Sequence, residues 1–477
     1  MEELWERLRS WKENGALPFH MPGHKRNCTL APYLDALSAG LDVTEIPGFD
    51  DLHAPEEILK QAMERTARLY GSEDAFFLVN GSTGGILAGI RAATRRGDRV
   101  LVARACHKAV YHALELCSLR PVYLKQDILA DFGCPSSLEV SQVEAALREY
   151  PDIRLVIMTS PSYEGILSPV SDLVAVAHER GIPVFVDEAH GAHLGLGGGF
   201  PKGAVSAGAD LVVQSFHKTL PSLTQTAVLH RAGNLVSREE VARQLGVFQT
   251  SSPSYLLLSS LEGCVSLLER RGTELLNDWR SRLDRFRERM RSLKNLSLLT
   301  GKEGGVFAFD PSKLVIGTRG SGLSGMELSE RLRQEYDIQM EMAAGPYAIA
   351  MTGMGDTDEG MECLANALYA IDASCTGEKA DKPLIGLPLP KVQVSMEEAL
   401  GLPWKLCAWE DAVGKVSAAS IWAYPPGIPL LVPGEIISEE LLCGLSDMRT
   451  CGVNLISTRG DLQTGLAVIN SVPISSD

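Results

Sequence analysis

The feature that most constrains the fold is an alternation of short apolar segments with helical patterns, which begins near residue 60. The apolar segments are rich in β-branched and aromatic residues, and polar residues follow them closely. The predicted strands are AFFLV (75–79), RVLVA (99–103), RLVIM (154–158), PVFVD (183–187), DLVVQS (210–215) and TAVLH (226–230). Strands that are apolar throughout and separated by helices are typical of a parallel sheet covered on both faces. We therefore predict an α/β fold with a mostly parallel sheet.

The order of the segments predicts four parts of the chain. The first residues form an amphipathic pattern in which Leu4, Leu8 and Trp11 share one helical face. After about residue 255, long charged helices follow, and VFAFD (306–310) indicates a strand of a second unit. The polar stretch SCTGEKADKP (374–383) is the best candidate for a linker. The predicted parts are an N-terminal segment (1–55), a large α/β domain (56–300), a small α+β domain (301–375) and a C-terminal domain (384–477).

Charge and cysteine usage exclude several classes of protein. The formal net charge is −15, which disfavours nucleic acid or an anionic membrane surface as a partner and mildly favours a cationic substrate. The ten cysteines include no Cys-x-x-Cys pair, so neither a zinc site nor a small disulfide framework is indicated. The N-terminus lacks the apolar core of a signal peptide, and no apolar run reaches membrane-spanning length. We expect a cytoplasmic protein with free thiols.

Ligands of parallel sheets bind beyond the carboxyl ends of the strands, so the polar residues at these ends are the candidate site residues. The first group is Asn80-Gly81-Ser82-Thr83-Gly84-Gly85, between a predicted strand and a predicted helix. Small residues let a ligand approach the backbone, and a helix N-terminus favours a phosphate group. The alternative interpretation is a simple helix cap by a hydroxyl side chain.

Asp187 ends a predicted strand and lies in the run VDEAHGAH (186–193). A carboxylate at a buried strand end requires a cation, and a protonated pyridine nitrogen would be such a cation. The alternative is an aspartate that caps the following turn. A metal site of Asp187, His190 and His193 is a further alternative, but the sequence indicates no additional ligand for it.

Lys218 lies in SFHKTL (215–220), directly after another predicted strand. A lysine in a strand-end turn, between hydroxyl and imidazole groups, can lose its proton and attack an aldehyde. Its position after a phosphate-type loop and Asp187 distinguishes it from the common solvated surface lysine. His107 follows RVLVA and could stack on a flat cofactor ring, or it could simply begin a helix.

Eight segments resemble, in the same order, those of the Orn/Lys/Arg decarboxylase family of fold type I pyridoxal-phosphate (PLP) enzymes. They are PFHMPGHKR (18–26), DVTEIPGFDDLH (42–53), NGSTGGI (80–86), ACHKAV (105–110), VDEAHGAH (186–193), SFHKTLPSLTQTAVLH (215–230), TSSPSY (250–255) and YPPGIPLLVPGE (424–435). The chain departs from the family pattern at Phe216, where relatives usually have Thr, and at Ala105 and Ala109. The motifs begin by residue 18, so we expect the receiver-like N-terminal domain of the large members to be absent.

The resemblance implies a role for each site residue. Lys218 would hold PLP covalently, Asp187 would keep the ring nitrogen protonated, and His107 and Ala189 would pack on the two faces of the ring. The other cofactor-binding positions would be Ser82, Thr83, Gly84, Ser215 and His217 at the phosphate, His190 beside the ring, and Ser251 from a neighbouring subunit. The HMPGHK and TEIPGFDD segments would lie near the active site or the subunit interface.

The activity implied by the resemblance is decarboxylation of arginine, lysine or ornithine by a homodimer or small oligomer. Glu435 is the candidate residue for the cationic end of the substrate, with a turn or interface carboxylate as the alternative. A PLP-dependent aminotransferase, or another reaction at Cα, would use the same fold. A non-catalytic descendant of the family is the second alternative. The retention of Lys218, Asp187 and His107 argues against it.

Overall fold

A computed structural model describes residues 3–13, 35, 37–377, 386–423, 427–450 and 453–471. The segment PFHMPGHKR (18–26) and Tyr424-Pro425-Pro426 lie outside the described residues, as do residues 378–383 of the predicted linker.

The helices and strands follow the predicted alternation. The helices are α1 (Leu4–Glu13), α2 (Ile58–Tyr70), α3 (Gly81–Ala93), α4 (Lys108–Leu116), α5 (Val140–Glu149), α6 (Val170–His178), α7 (Phe216–Thr219), α8 (Arg238–Phe248), α9 (Tyr255–Met290), α10 (Gly325–Tyr336), α11 (Asp358–Ser374), α12 (Met396–Gly401) and α13 (Glu439–Thr450). The strands are β1 (Asp74–Leu78), β2 (Arg99–Ala103), β3 (Arg120–Leu124), β4 (Ile153–Thr159), β5 (Ile166–Leu167), β6 (Val184–Asp187), β7 (Leu211–Ser215), β8 (Ala227–Arg231), β9 (Ser297–Leu298), β10 (Ala308–Phe309), β11 (Lys313–Gly317), β12 (Met342–Ala344), β13 (Tyr347–Met351), β14 (Trp404–Cys407), β15 (Ile421–Ala423), β16 (Ile428–Leu431), β17 (Leu455–Ser457) and β18 (Leu466–Ile469).

The chain divides into two compact units. The first contains residues 1–93, 183–281 and 353–355, and its strands lie in the order β1-β8-β7-β6. Strands β6 and β7 are parallel, whereas β8 runs antiparallel to both β1 and β7. Strand β7 is fully buried, as the continuous apolar pattern predicts for a sheet with both faces covered.

The second unit contains residues 94–182, 282–352 and 356–477. Its parallel strands lie in the order β4-β2-β3. A separate antiparallel sheet has the order β12-β13-β11-β9, and the C-terminal part of the chain forms the small sheets β14-β18 and β16-β15-β17. The smaller sheets therefore follow the parallel strands along the chain, as the sequence predicts.

The six strands predicted before residue 235 are all present, and each differs from the prediction by at most one residue at either end. The predicted mostly parallel α/β fold is confirmed. Strand β3 escaped prediction because Arg120 and Pro121 interrupt its apolar pattern, and its end position in the strand order tolerates a proline. The strand predicted at 306–310 is only the pair Ala308–Phe309, because its partner β5 is two residues long. The predicted domain bounds stay predictions.

Candidate active site

Helix α3 packs closely on one face of β6 and β7, which we call the front face. A Cβ atom on Gly85 would lie 2.8 Å from Cγ2 of Val213, and one on Gly89 would lie 2.6 Å from Cε2 of Phe185. Real Cβ atoms do not approach carbon atoms so closely, so this helix reaches the sheet only because these positions are glycine. Gly85, which the sequence suggested for a ligand, therefore also serves helix packing.

Asp187 and Ser215 share this front face. Side chains alternate between the two faces along a strand, and each residue lies two positions after a strand residue that contacts α3. Both residues stand at the carboxyl ends of their strands, and β6 and β7 are parallel neighbours. The structure thus brings these two predicted site residues to the same edge of the sheet.

The direction of α3 brings its first turn towards the same edge. The earlier of its two packing glycines contacts Val213, and the later one would place a Cβ atom 3.5 Å from Leu211, so α3 runs opposite to β7. The first turn of the helix, which contains Ser82-Thr83-Gly84, therefore lies towards the Ser215 end of the strand. The hydroxyl residues Ser82 and Thr83 are half-buried there. A helix N-terminus next to a hydroxyl at a strand end is a suitable anion site.

Asp187 is a buried carboxylate, with 2% of its surface exposed. Its Oδ1 atom accepts a hydrogen bond from the backbone N–H of Ala189 at 3.1 Å. Burial raises the pKa of Asp187 above its ordinary value, and the hydrogen bond and the charge of Lys218 only partly oppose this shift. An additional cation on the front face would stabilise the ionised carboxylate.

Lys218 lies on the short helix α7, and its Nζ atom is 2.9 Å from Nε2 of the buried His190. The amine donates to a neutral imidazole when Nε2 is the unprotonated nitrogen. The neighbouring His217 is fixed differently, because its Nδ1–H donates to the carbonyl oxygen of Thr226 at 2.9 Å. Burial is the main cause that lowers the pKa of His217, and the Lys218 charge acts in the same direction.

Two buried hydroxyl groups flank the lysine. The Oγ atom of Ser215 and the Oγ1 atom of Thr219 have no hydrogen-bond partner among the described residues, although both side chains are buried. A buried hydroxyl normally has a partner, so this arrangement fits an acceptor-rich ligand such as a phosphate. Together with a carboxylate that lacks a full counter-charge, the first unit provides suitable partners for both ends of PLP.

The other predicted site residues lie at different places. Ala189 is buried next to Asp187, and Ser251 is exposed on the loop between α8 and α9. His107 belongs to the second unit, where it forms the N-cap of α4 and its Nδ1 atom accepts the N–H of Ala109 at 3.2 Å. His107 thus begins a helix, which is the alternative to ring stacking that the sequence left open.

Glu435 lies in the second unit. We expected it to receive the cationic end of a substrate, but it is completely buried and paired with Arg104. The Arg104 Nη1 and Nη2 atoms lie 2.6 and 2.9 Å from the two carboxylate oxygens, and the N–H of Val432 donates to Oε2 at 2.8 Å. The guanidinium also lies 4.7 Å from the ring centroid of Tyr123. A substrate cation would have to displace this bidentate pair, so the geometry favours the alternative of a structural carboxylate, and the substrate role of Glu435 stays a prediction.

The Arg104–Glu435 pair provides a stability prediction. Glu435→Gln should lower the free energy of unfolding by about 3 kcal/mol, because it leaves the Arg104 charge buried without a counter-charge. Denaturant midpoints of the variant and the parent protein measure this. The double variant Arg104→Met/Glu435→Leu is the control and should lose less than the single variant, since it removes both charges. A raised Michaelis constant with unchanged stability would instead support the substrate role of Glu435.

The segment TEIPGFDD (44–51) contains a helix-capping residue. The carboxylate of Asp50 accepts hydrogen bonds from the backbone N–H groups of Glu56, Glu57 and Leu59 at 2.9–3.0 Å. Burial alone would raise the pKa of Asp50, but these backbone donors lower it overall. This side chain therefore holds the chain at the start of α2.

Sequence reasoning assigned no role to several residues of the two units. Phe216, which departs from the family pattern, is fully buried and its ring centroid lies 5.9 Å from that of Tyr70, so it belongs to the core. Arg104 and Thr219 carried no recognisable motif signal.

Within the described ranges, no group of three or more His, Cys, Asp or Glu side chains is arranged to hold a metal ion. No helix in the described part of the chain is long and apolar enough to cross a membrane.

Comparisons with known proteins decide the family. The Orn/Lys/Arg decarboxylase major-domain model matches residues 3–306, and the model of the C-terminal domain of the same family matches residues 393–445. This chain belongs to the Orn/Lys/Arg decarboxylase family. The predicted enzyme class, a decarboxylase of a basic amino acid, is thereby confirmed.

Individual relatives agree with the family in sequence and fold. The arginine decarboxylase of Halalkalibacterium halodurans is 31% identical over 467 residues, which are 96% of this chain and 95% of that protein. The lysine decarboxylase of Francisella novicida has the same fold, with a TM-score of 0.83, 18% identity, and coverage of 98% of this chain and 81% of that one. A structure of SPT with PLP covers 73% of this chain and 84% of its own, with a TM-score of 0.55 and 15% identity.

Proposed function

We propose that this family member is a PLP-dependent decarboxylase whose preferred substrate is arginine. The observation that carries the cofactor proposal is the group formed by Asp187, His190, Ser215 and Lys218 at one edge of the sheet in the first unit. The choice of arginine is supported by the relatives named arginine decarboxylase, which match this chain over more than 90% of both lengths.

The residues of the first unit would hold PLP at both ends. Ser215 and the first turn of α3, with Ser82, Thr83 and Gly84, would bind the phosphate. His217 would join them through Nε2, because its Nδ1 atom is engaged by Thr226. Asp187 would receive the pyridine nitrogen, and Lys218 would bond to the aldehyde carbon. His107 and Ser251 are kept as proposed contacts, the latter from a neighbouring subunit.

Bound PLP supplies an electron sink for the electrons of the Cα–carboxylate bond. Asp187 stabilises a positive charge at the pyridine nitrogen, because the carboxylate is buried and held by the Ala189 N–H. Lys218 and His190 lie close enough for a proton to move between Nζ and Nε2. Either residue could therefore deliver the proton that replaces the carboxylate on Cα.

Carbon dioxide release from arginine, lysine and ornithine in parallel, with identification of the amine, tests the proposal. Release from arginine with a kcat/KM at least about tenfold above the other two substrates is the expected result. A preference for lysine or ornithine would keep the reaction and change the substrate. Formation of a keto acid without carbon dioxide would favour the aminotransferase alternative, and the absence of a PLP absorption band would favour the non-catalytic one.

Ser215→Ala should weaken PLP binding roughly tenfold, because the Oγ atom would be a direct partner of the phosphate. Absorbance titration of the cofactor-free protein with PLP measures the dissociation constant. Ser252→Ala is the control, since Ser252 is exposed on the loop between α8 and α9. Unchanged affinity in the Ser215 variant would remove this hydroxyl from the phosphate site.

The assembly and the compartment are also proposals. We infer a homodimer in the cytoplasm, with each active site completed by the neighbouring subunit. Sedimentation of the PLP-loaded protein tests the assembly. Mixing Lys218→Ala and Ser251→Ala chains tests the shared site, because mixed dimers would regain one intact site of the two.

A further inference from the structure

A chain of buried polar residues lies behind the candidate active site. The side chains of Glu188, Gln214 and His230 point to the back face of β6, β7 and β8, because each occupies the alternate register to the front-face residues. We call these three residues, together with Ser72, the back-face network. Glu188 directly follows Asp187, and Gln214 directly precedes Ser215. The network therefore adjoins both front-face residues through the backbone.

The hydrogen bonds of the network are continuous. The Nε2 atom of Gln214 donates to Oε2 of Glu188 at 2.7 Å, and Oε1 of Gln214 lies 3.1 Å from Nε2 of His230. The Nδ1 atom of His230 lies 3.0 Å from Oγ of Ser72. The other oxygen of Glu188 accepts the backbone N–H of Ala204 at 2.8 Å. The network thus spans three neighbouring strands and ties them to a loop.

The carboxylate of Glu188 fixes which group donates in every hydrogen bond between the side chains of the back-face network. A carboxylate only accepts, so Gln214 must present its NH2 group to Glu188 and its oxygen to His230. His230 must then donate from Nε2 and accept at Nδ1 from the Ser72 hydroxyl. Burial lowers the pKa of His230 to about 3, so the ring is neutral and carries its single proton on Nε2.

The network also contacts the segment that carries His190. The ring centroid of Tyr70 lies 4.7 Å from that of His230, and the Tyr70 hydroxyl donates to the carbonyl oxygen of Ala192 at 2.6 Å. Ala192 lies two residues after His190. The same buried group of side chains therefore supports both strand ends and the histidine that contacts Lys218.

We propose that Glu188 is a positioning residue for the cofactor site: it sets the hydrogen-bond direction of the back-face network, and the network orients Asp187 and Ser215 towards PLP. This inference rests on the proposed function for its ligand. The hydrogen-bond direction does not depend on the proposed function, because it is a property of the protein without PLP. No contact between Glu188 and the cofactor is involved.

Glu188→Gln tests the proposal with a nearly isosteric change. The new amide keeps an oxygen for the Ala204 N–H but presents NH2 to Gln214, whose own amide must rotate. His230 must then accept at Nε2 and carry its proton on Nδ1. We expect this change of tautomer in the 15N spectrum of the histidine-labelled, cofactor-free protein, and a roughly tenfold larger PLP dissociation constant. The signal is assigned with a His230→Asn variant.

The swap Glu188→Gln/Gln214→Glu is the matched rescue variant. The swap moves the carboxylate one position along the series of hydrogen bonds, from residue 188 to residue 214. There it accepts from both the new amide at position 188 and Nε2 of His230. We expect the swap to return the proton to Nε2 and the PLP dissociation constant to within about threefold of the parent value. Glu64→Gln is the control, since it makes the same change at an exposed position of α2 outside the network, and it should leave the tautomer and the affinity unchanged.

The outcomes separate this inference from the proposed function. A parent-like tautomer in Glu188→Gln overturns the assigned direction, and a swap that restores the tautomer without restoring PLP affinity overturns the positioning role. If the single variant does not fold, the swap alone decides, because a proton on Nδ1 in the swap contradicts the scheme. Failure of the parent protein to bind PLP would refute the proposed cofactor site, whereas the tautomer result would still stand.

Discussion

Lys218→Ala is expected to reduce decarboxylation by roughly a thousandfold or more, because removal of a group that bonds covalently in catalysis has effects of at least that order. The variant should also lose the visible absorption band of lysine-bound PLP. Its fold should persist, since Lys218 is only half-buried on a four-residue helix. Steady-state carbon dioxide release and absorption spectra of the PLP-loaded protein provide the two measurements.

Lys202→Ala is the matched control for this prediction. Lys202 belongs to the same unit and is exposed, so its removal should leave activity and spectrum unchanged. Borohydride reduction of the PLP-loaded parent protein, followed by peptide mass analysis, identifies the modified lysine independently of activity. Cofactor mass on any peptide other than the one containing Lys218 would contradict the assignment.

Asp187→Asn is expected to lower kcat by roughly 10²–10³-fold, because it removes the charge that would stabilise the protonated pyridine nitrogen in the proposed site while retaining the shape of the side chain. The Michaelis constant for the amino acid should change much less, since Asp187 faces the cofactor in the proposed site. Asp278→Asn, an exposed change on α9, is the control. Near-normal turnover in the Asp187 variant would exclude this role.

The same variant should not destabilise the cofactor-free protein at neutral pH. Burial raises the pKa of Asp187 in the folded chain, so the ionised form is less favourable there than in the unfolded chain. The stability contribution of this group is fully present below its unfolded pKa and is lost as the pH rises through the folded pKa. An uncharged asparagine avoids that loss, so its thermal midpoint at pH 7 should equal or exceed that of the parent. A lower midpoint would show that the carboxylate is already compensated without PLP.

The sheet and the main site positions could be predicted from the sequence because both depend on local patterns. Apolar β-branched runs fix the strands wherever both faces of a sheet are buried, so the ends of the six strands predicted before residue 235 were correct to one residue. Asp187 and Lys218 could be selected because Asp187 ends such a strand and Lys218 closely follows another, and the edge of a parallel sheet is where ligands bind. The resemblance to the family segments implied roles for these residues at a cofactor, which their positions in the sheet alone left open.

The partners of buried polar side chains could not be predicted in this way. Glu435 lies 331 residues from Arg104 in the sequence, and the turn around it gives no sign of a buried guanidinium. Gln214 and His230 occupy ordinary strand positions, and only the register of β7 with β8 brings them together. A hydrogen bond between side chains requires a match within a few tenths of an ångström, and that match depends on the packing of all neighbouring elements.

The sequence by itself determined the α/β pattern, the decarboxylase family and the order of the glycine-rich loop, the aspartate and the lysine. The tertiary structure decided which buried carboxylate is already paired with a cationic side chain. Asp187 and Glu435 are both buried, yet only Glu435 has both oxygens engaged by a guanidinium. The physical reason is that burial follows from hydrophobic pattern, which is local, whereas charge compensation depends on residues that meet only in the folded chain.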